Sequence, residues 1–367
     1  MNVVVTGADG FVGKNLCLKL SELGFSNIAK ITRDTSKQEI QTYLEHADFV
    51  YHLAGVNRPQ QDSEFEEGNS TFTQFITHEL AKNGKRTPIV LSSSTHVERD
   101  NAYGRSKLAA EKHVTEYGEK TGASYFIYRL TNVFGKWSRP NYNSAVATFC
   151  YNIANNLDIV VNDPSAPLTL VYIDDVCQEM ASLIGSECDS GFQAVHPEYP
   201  TTVGEVAELL KNFKRSRETL VVEHVGQGLP RALYATYLSF LEPQNFSYDI
   251  KHYEDERGLF CEFLKTKESG QISFFTAHKG VVRGGHYHHT KNEKFLVVKG
   301  KALFRFKHRL TGEYYELAVD ARQGQVVETV PGWSHDVVNL DEEELIVMLW
   351  ANEIFDRDNP DTIMDKL

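Results

Sequence analysis

The chain has 367 residues, of which 41% are hydrophobic, and a net charge of −12: enough apolar matter for two or three folded domains, and no basic stripe for a nucleic-acid surface. No run of about 20 apolar residues is present, so no membrane-crossing helix is expected. Five cysteines without CxxC spacing (Cys17, Cys150, Cys177, Cys188 and Cys261) read as reduced thiols of a cytoplasmic protein.

The chain runs directly into an apolar strand, Val3–Thr6, with neither a basic leader nor a cleavage site, so no signal peptide is expected. Thr6-Gly7-Ala8-Asp9-Gly10-Phe11-Val12-Gly13 then turns into a helix over 13–23. Glycines at 7, 10 and 13 suit a tight turn, close backbone approach to a pyrophosphate and close helix–strand packing. The helix start at Phe11 and Val12 offers free N–H groups and a positive dipole end to the phosphates. Further strands are expected at 28–32, 47–53 and 88–92, with helices between them. That alternation means a Rossmann-type doubly wound parallel sheet, an α/β fold. Arg33 at the tip of the second strand favours NADPH, because an arginine there meets the ribose 2′-phosphate. His52-Leu53-Ala54-Gly55 is the next strand end, and small residues let a cofactor lie close.

Tyr103 and Lys107 share one face of a helical run at 106–117 and its lead-in. An ammonium beside a phenol lowers the phenol pKa from about 10, so Tyr103 can exchange a proton with a carbonyl oxygen while a nicotinamide exchanges hydride. Ser92-Ser93-Ser94, at the end of the preceding strand, supplies a hydroxyl to orient that oxygen.

These motifs, with Arg129-Leu-Thr-Asn132-Val-Phe-Gly135 and Tyr172-Ile-Asp-Asp175, resemble the extended short-chain dehydrogenase/reductases over about residues 1–240. The resemblance implies Tyr103 as acid/base, Lys107 as its tuner and ribose ligand, and Ser94 as the orienting hydroxyl, with Ser93 as alternative. It also implies that the arginine–asparagine motif, with Asn132, borders cofactor and substrate.

Residues 226–243 read as a junction, with the domain boundary at 244/245. Beyond it, β-type runs at 271–276, 295–298, 302–306, 326–330 and 345–349 are broken by glycines, an all-β barrel or sandwich. His286 and His288 fall on one strand face, Glu293 follows a short turn later, and His335 follows Pro331-Gly332-Trp333-Ser334. Imidazoles with a carboxylate suit zinc or another first-row divalent metal. The spacing resembles the cupin superfamily. Asp255-Glu-Arg257-Gly258-Leu-Phe260-Cys-Glu262 and Val282-Arg283-Gly-Gly-His286-Tyr resemble nucleotide-diphospho-keto-sugar epimerases. In that resemblance His286 removes a proton α to a ketone, Lys294 holds the enolate, and Arg257 and Arg283 grip the diphosphate. Either His286 is a metal ligand and another group takes the proton, or the metal polarises the ketone and His286 stays free. Phe355 stands where that family usually shows a proton-returning tyrosine, which points to inversion at one centre.

The two halves together resemble fused reductase–cupin enzymes of capsule and O-antigen synthesis. The resemblance implies a cytoplasmic homodimer that acts on a UDP-2-acetamido-2,6-dideoxy-4-hexulose, with C3 epimerisation by the cupin and then NADPH-dependent reduction at C4. The product would be UDP-N-acetyl-6-deoxy-L-talosamine, on the route to N-acetyl-L-fucosamine. The order follows from chemistry, since reduction removes the ketone that acidifies C3. A 4-ketoreductase with a merely structural or dimerising cupin is the main alternative.

Overall fold

The computed structural model describes all 367 residues, in two compact units. The first comprises Met1–Leu210 and Ala232–Phe240, the second Lys211–Arg231 and Leu241–Leu367. The sequence suggests one boundary at 244/245. Instead residues 211–231 group with the second unit, where Val221–Val222 pairs with the strand Gly258–Thr266. Residues 226–243 are not a bare junction, because Gly228–Leu238 is a helix. Its Pro230 lies in the first turn, where a missing N–H costs no helical hydrogen bond.

In the first unit strands and helices alternate: Val3–Thr6 (β1), Phe11–Glu22 (α1), Ile28–Ile31 (β2), Lys37–His46 (α2), Phe49–His52 (β3), Ser63–Phe65 (α3), Phe72–Lys82 (α4), Ile89–Ser94 (β4), Ala102–Thr121 (α5) and Tyr125–Leu130 (β5). With Gly191–Gln193 they form a parallel, Rossmann-like sheet in the order β2-β1-β3-β4-β5 and then the short edge strand. Strand order reverses between β1 and β3, and the crevice at such a switch point is where this architecture takes ligands. β1 is buried throughout, as a strand covered on both faces must be. Ile76, Leu80, Ala110 and Val114 bring α4 and α5 onto Val50, Ile89 and Leu91. α5 starts four residues before the expected 106, because Asn101 caps it by accepting the Gly104 N–H at 2.8 Å.

The second unit is β-rich. Gly258–Thr266, Gly270–Ala277, Leu345–Ala351, Glu293–Lys299 and Val326–Glu328 neighbour one another in a seven-stranded sheet. Tyr314–Asp320, Lys301–His308, Trp333–Asn339, Val282–Tyr287 and Ile363–Met364 follow one another in a five-stranded sheet. Phe275, Phe295, Phe304, Val297, Val337 and Val347 join both sheets in one apolar cluster. No helix of the protein is long and apolar enough to cross a membrane.

Candidate functional sites

The glycine loop owes its shape to backbone crowding. Gly7 has φ +65°, and a Cβ there would lie 2.8 Å from the Ala54 Cα and N. A Cβ on Gly13 would stand 2.2 Å from the Gly7 carbonyl oxygen. Only hydrogen fits at these points, so α1 packs directly on the turn. Gly10 caps α1 without any side-chain hydrogen bond, leaving the first-turn N–H groups of Phe11, Val12 and Gly13 for a ligand. Opposite them the Leu53 and Ala54 N–H groups both donate to Thr6 Oγ1 at 3.1 Å. Thr6 Oγ1 also meets His52 Nδ1 at 2.7 Å, and His52 Nε2 meets Thr73 Oγ1 at 2.8 Å. Burial, with Lys107 nearby, pushes the His52 pKa down to about 3, so this link is uncharged. Arg33 is solvent-exposed just beyond β2.

Tyr103 and Ser94 line one cavity of about 540 Å³, together with Asn57, Arg58, His96 and Asn132. Its volume suits a ligand of sugar-nucleotide dimensions. Phe65 and His96 rings flank the Tyr103 ring at 5.5 and 6.1 Å. Ser93, the alternative hydroxyl, points the other way and donates to the buried Glu111 at 2.5 Å. Lys107 is buried, and its Nζ donates to the Ser92 carbonyl at 2.6 Å. Burial pushes its pKa down to about 8 against the opposing field of Glu111. The net shift of the phenol is not the depression expected from the lysine spacing. Burial raises the Tyr103 pKa, and a hydrogen bond with Ser94 opposes that rise.

Arg129, expected beside the ligands, instead grips Glu111 with two hydrogen bonds of 3.0 and 2.7 Å. Asn132 lines the cavity while its amide donates to the Thr169 carbonyl at 3.0 Å. Sequence reasoning missed Asn69, buried in a π-helical turn. Its side chain clamps the Val56 backbone N–H and carbonyl at 2.8 and 3.0 Å and reaches Ser106 Oγ at 2.9 Å. It also missed Tyr142, whose hydroxyl donates to Asn57 at 2.8 Å and whose ring lies under the guanidinium groups of Arg58 and Arg139, 5.6 and 5.1 Å away. The run from 136 to 144 offered no spacing from which to place it.

In the second unit one ligand atom from each of His286, His288, Glu293 and His335 lies within 4.8 Å of the others. His286 pairs with His335 across adjacent strands, a register shift at Gly284/His286 aiding the convergence, and Glu293 opens a strand of the other sheet. The Glu293 Oε2 stands 3.3 Å from His288 Nε2 and 3.5 Å from His335 Nε2. Neither imidazole nitrogen makes a well-directed hydrogen bond, although both are buried. A carboxylate ringed by inward-turned nitrogens fits a divalent cation better than it fits itself. Burial works to raise the Glu293 pKa, but the facing imidazoles of His288 and His335 and the charge of Lys291 hold it well below the carboxylate range. Burial, with the two neighbouring histidines, pushes His286 down to about 3.

Lys294, expected to face an enolate, is on the outer side of its strand in an ion pair with Glu328. Strand alternation explains this, since Glu293 and Phe295 point inward. The inward cation is Lys291, 8% exposed, with Nζ 2.8 Å from Glu293 Oε1 and 5.5 Å from the centre of the Phe355 ring. Arg257 is paired with Asp255, and Arg283 gives its guanidinium to the carbonyls of Thr276 (2.8 and 3.2 Å) and Leu259 (3.3 Å).

Residues 3–191 match the NAD dependent epimerase/dehydratase family, and residues 253–363 match the polysaccharide biosynthesis C-terminal domain. The chain is 52% identical, over 99% of its length and 98% of the relative's, to a UDP-2-acetamido-2,6-beta-L-arabino-hexul-4-ose reductase of Pseudomonas aeruginosa. The capsular polysaccharide assembling protein CapF of Staphylococcus aureus superposes with a TM-score of 0.93 at 42% identity, with both chains covered in full. A UDP-glucose 4-epimerase of Thermus thermophilus, in complex with NAD, shares the fold over 67% of this chain and all of its own, with a TM-score of 0.54 at 16% identity.

Proposed function

The chain belongs to the NAD dependent epimerase/dehydratase family and carries a polysaccharide biosynthesis C-terminal domain, and on that premise we propose that it is a bifunctional nucleotide-sugar enzyme of capsule or O-antigen synthesis. The second unit, as a cupin barrel, inverts C3 of a UDP-2-acetamido-2,6-dideoxy-4-hexulose. The first unit then reduces C4 to give UDP-N-acetyl-6-deoxy-L-talosamine. The observation that carries the reductase step is the shared cavity of Tyr103 and Ser94, with Lys107 on the same helix one turn on.

NADPH, when bound, supplies the hydride for C4. Ser94 orients the C4 oxygen, and Tyr103 donates its phenolic proton as that oxygen gains charge. The raised phenol pKa keeps that proton in place until it is needed. Lys107 holds the nicotinamide ribose, and Arg33 meets the 2′-phosphate. Gly7, Gly10, Phe11, Val12 and Gly13 receive the pyrophosphate, and Leu53 and Ala54 let the cofactor lie close. Asn132 contacts the sugar, and Arg58 and Arg139 face the substrate diphosphate.

In the epimerase step His286, His288, Glu293 and His335 hold a divalent metal, zinc by their donor chemistry, which supplies a Lewis acid for the ketone. Lys291 takes the part first given to Lys294 and offers a fixed cation to charge developing on oxygen. Arg257 and Arg283 stand on the diphosphate side. Loss of metal in His286→Ala marks His286 as a ligand, whereas retained metal with lost exchange marks it as the base. We also place the enzyme in the cytoplasm as a homodimer, with no nucleic-acid or membrane partner.

The deciding experiment incubates the 4-keto sugar with enzyme in D₂O without NADPH. Deuterium at C3 is expected, with a Tyr103→Phe variant still labelling but no longer reducing. The outward position of Lys294 favours a second reading, a reductase whose C-terminal part is structural. An unlabelled C3 beside intact reduction of the C3-epimerised ketone would establish that reading instead.

A further inference from the structure

The loop that carries His288 and leads to Glu293 is organised by a segment about 70 residues further along the chain. Backbone N–H groups of His289, Thr290 and Lys291 all donate to the Asp361 carboxylate, at 3.0, 2.6 and 2.9 Å. Thr290 Oγ1 adds a fourth donor at 3.1 Å. Three successive N–H groups on one carboxylate form an anion-holding concavity made by the loop itself, with Asp361 as its built-in anion. The Asp361 carbonyl oxygen meets His288 Nδ1. A carbonyl only accepts, so the proton sits on Nδ1, and Nε2 turns its lone pair to Glu293 and the other ligands.

The attachment continues beyond Asp361. Ile363–Met364 pairs antiparallel with His286 and Tyr287, and the Asp365 N–H donates to the Gly285 carbonyl at 2.8 Å. The Asp365 carboxylate pairs with Arg309 and accepts from Ser334, the neighbour of His335. Segment 361–365 thus touches His288 directly and the immediate surroundings of His286 and His335. It donates no ligand of its own to the cluster.

We propose that Asp361 is a positioning residue, and that segment 361–365 is a strap whose closure sets the affinity of the His286–His288–Glu293–His335 cluster for a divalent metal. The proposal rests on the reading that this cluster binds metal. Through His288 it fixes the tautomer and ring direction, and through the loop amides it fixes the distance from His288 to Glu293.

The test uses the full chain, stripped of metal and titrated with Zn²⁺ against a chromophoric chelator, and in parallel with Co²⁺ to read the visible ligand-field bands. Asp361→Ala removes the acceptor of the three loop amides, so the loop and the strap separate and the carbonyl of residue 361 is drawn off His288; Zn²⁺ is expected to bind about 10- to 100-fold more weakly, the range typical when a partner of a metal-bound histidine is lost. Its Co²⁺ bands should change in intensity, while NADPH binding by the first unit is unaltered. Asp361→Asn keeps the shape and some accepting capacity and should lose about 10-fold or less. It is the arm to read if the alanine variant has a circular dichroism spectrum unlike the parent. Zn²⁺ affinity within about 3-fold of the parent in a folded Asp361→Ala, with unchanged Co²⁺ bands, would overturn the strap while leaving the metal reading intact. A parent chain that binds neither ion overturns the metal reading, and the strap with it.

Discussion

Alanine at Gly13 would put a methyl carbon 2.2 Å from the Gly7 carbonyl oxygen and 2.8 Å from Ala8 Cα, where ordinary contact begins at 3.4 Å. Both obstacles are backbone, so no side chain can rotate aside. The start of α1 must then retreat by about 1 Å, which places the cost at the upper end of the usual overpacking range, about 3 kcal/mol. For a unit of this size that corresponds to a melting point lower by about 6–12 °C. Gly10→Ala is the internal control. Its φ is −73°, and its nearest obstacle is the same carbonyl at 3.0 Å, so a loss of about 1 kcal/mol is expected. Scanning calorimetry of the two variants, with NADPH binding followed by nucleotide fluorescence, tests the ranking. Gly13→Ala should also bind NADPH at least about 10-fold more weakly, because the phosphate-facing N–H groups move with the helix. Equal melting of Gly13→Ala and the parent, or a greater loss in Gly10→Ala, would refute the packing argument.

Lys107 loses its proton near pH 8, so the rate of C4 reduction should fall as pH rises through that value, and Lys107→Arg should shift the fall upward at a lower maximal rate. Stability should move the opposite way over pH 8–10.5, because there the unfolded chain binds the proton that folded Lys107 has released; thermal melts across that window read it. Lys294→Ala should leave solvent exchange at C3 within about 2-fold, whereas Lys291→Met should slow it by about 100-fold or more, and the reverse order would return the enolate role to Lys294. Glu111→Gln strips the charge from the Arg129 pair and the Ser93 bond. Arg129 is about a third exposed, so screening reduces the loss to about 2 kcal/mol, seen as a melting point about 4–8 °C lower.

The parts of the candidate sites that were legible in the sequence are those set by local spacing. The glycine turn, the Tyr103–Lys107 pair and the histidine pair each depend on helix or strand periods within a few residues, and such periods survive folding. Lys294 was misplaced although the same rule applied. An inward Glu293 forces Lys294 outward, and the alternation would have shown it. Arg129 and Asn69 are different. Their roles depend on partners 18 and 13 residues away that are met only in the folded chain, and nothing in their flanking residues marks them. The start of α5 turned on Asn101, a capping residue whose signal lay in plain sight before the helix. Asp361 is the extreme case, since an exposed-looking acid in a polar stretch gains its meaning from three amides some 70 residues earlier.

The Thr6–His52–Thr73 link has a consequence for tolerance of acid. With a folded pKa near 3 against an ordinary 6.5, His52 is neutral in the native state and charged in the unfolded chain at mildly acidic pH. Its contribution is fully present above pH 6.5 and is lost as pH falls toward 3. A histidine in that place is therefore not a sensor of mild acidity. It is a fixed strut that gives way only by unfolding, so the floor of the nucleotide crevice keeps its geometry as the medium acidifies, while the margin that protects the whole unit from denaturation shrinks beneath it.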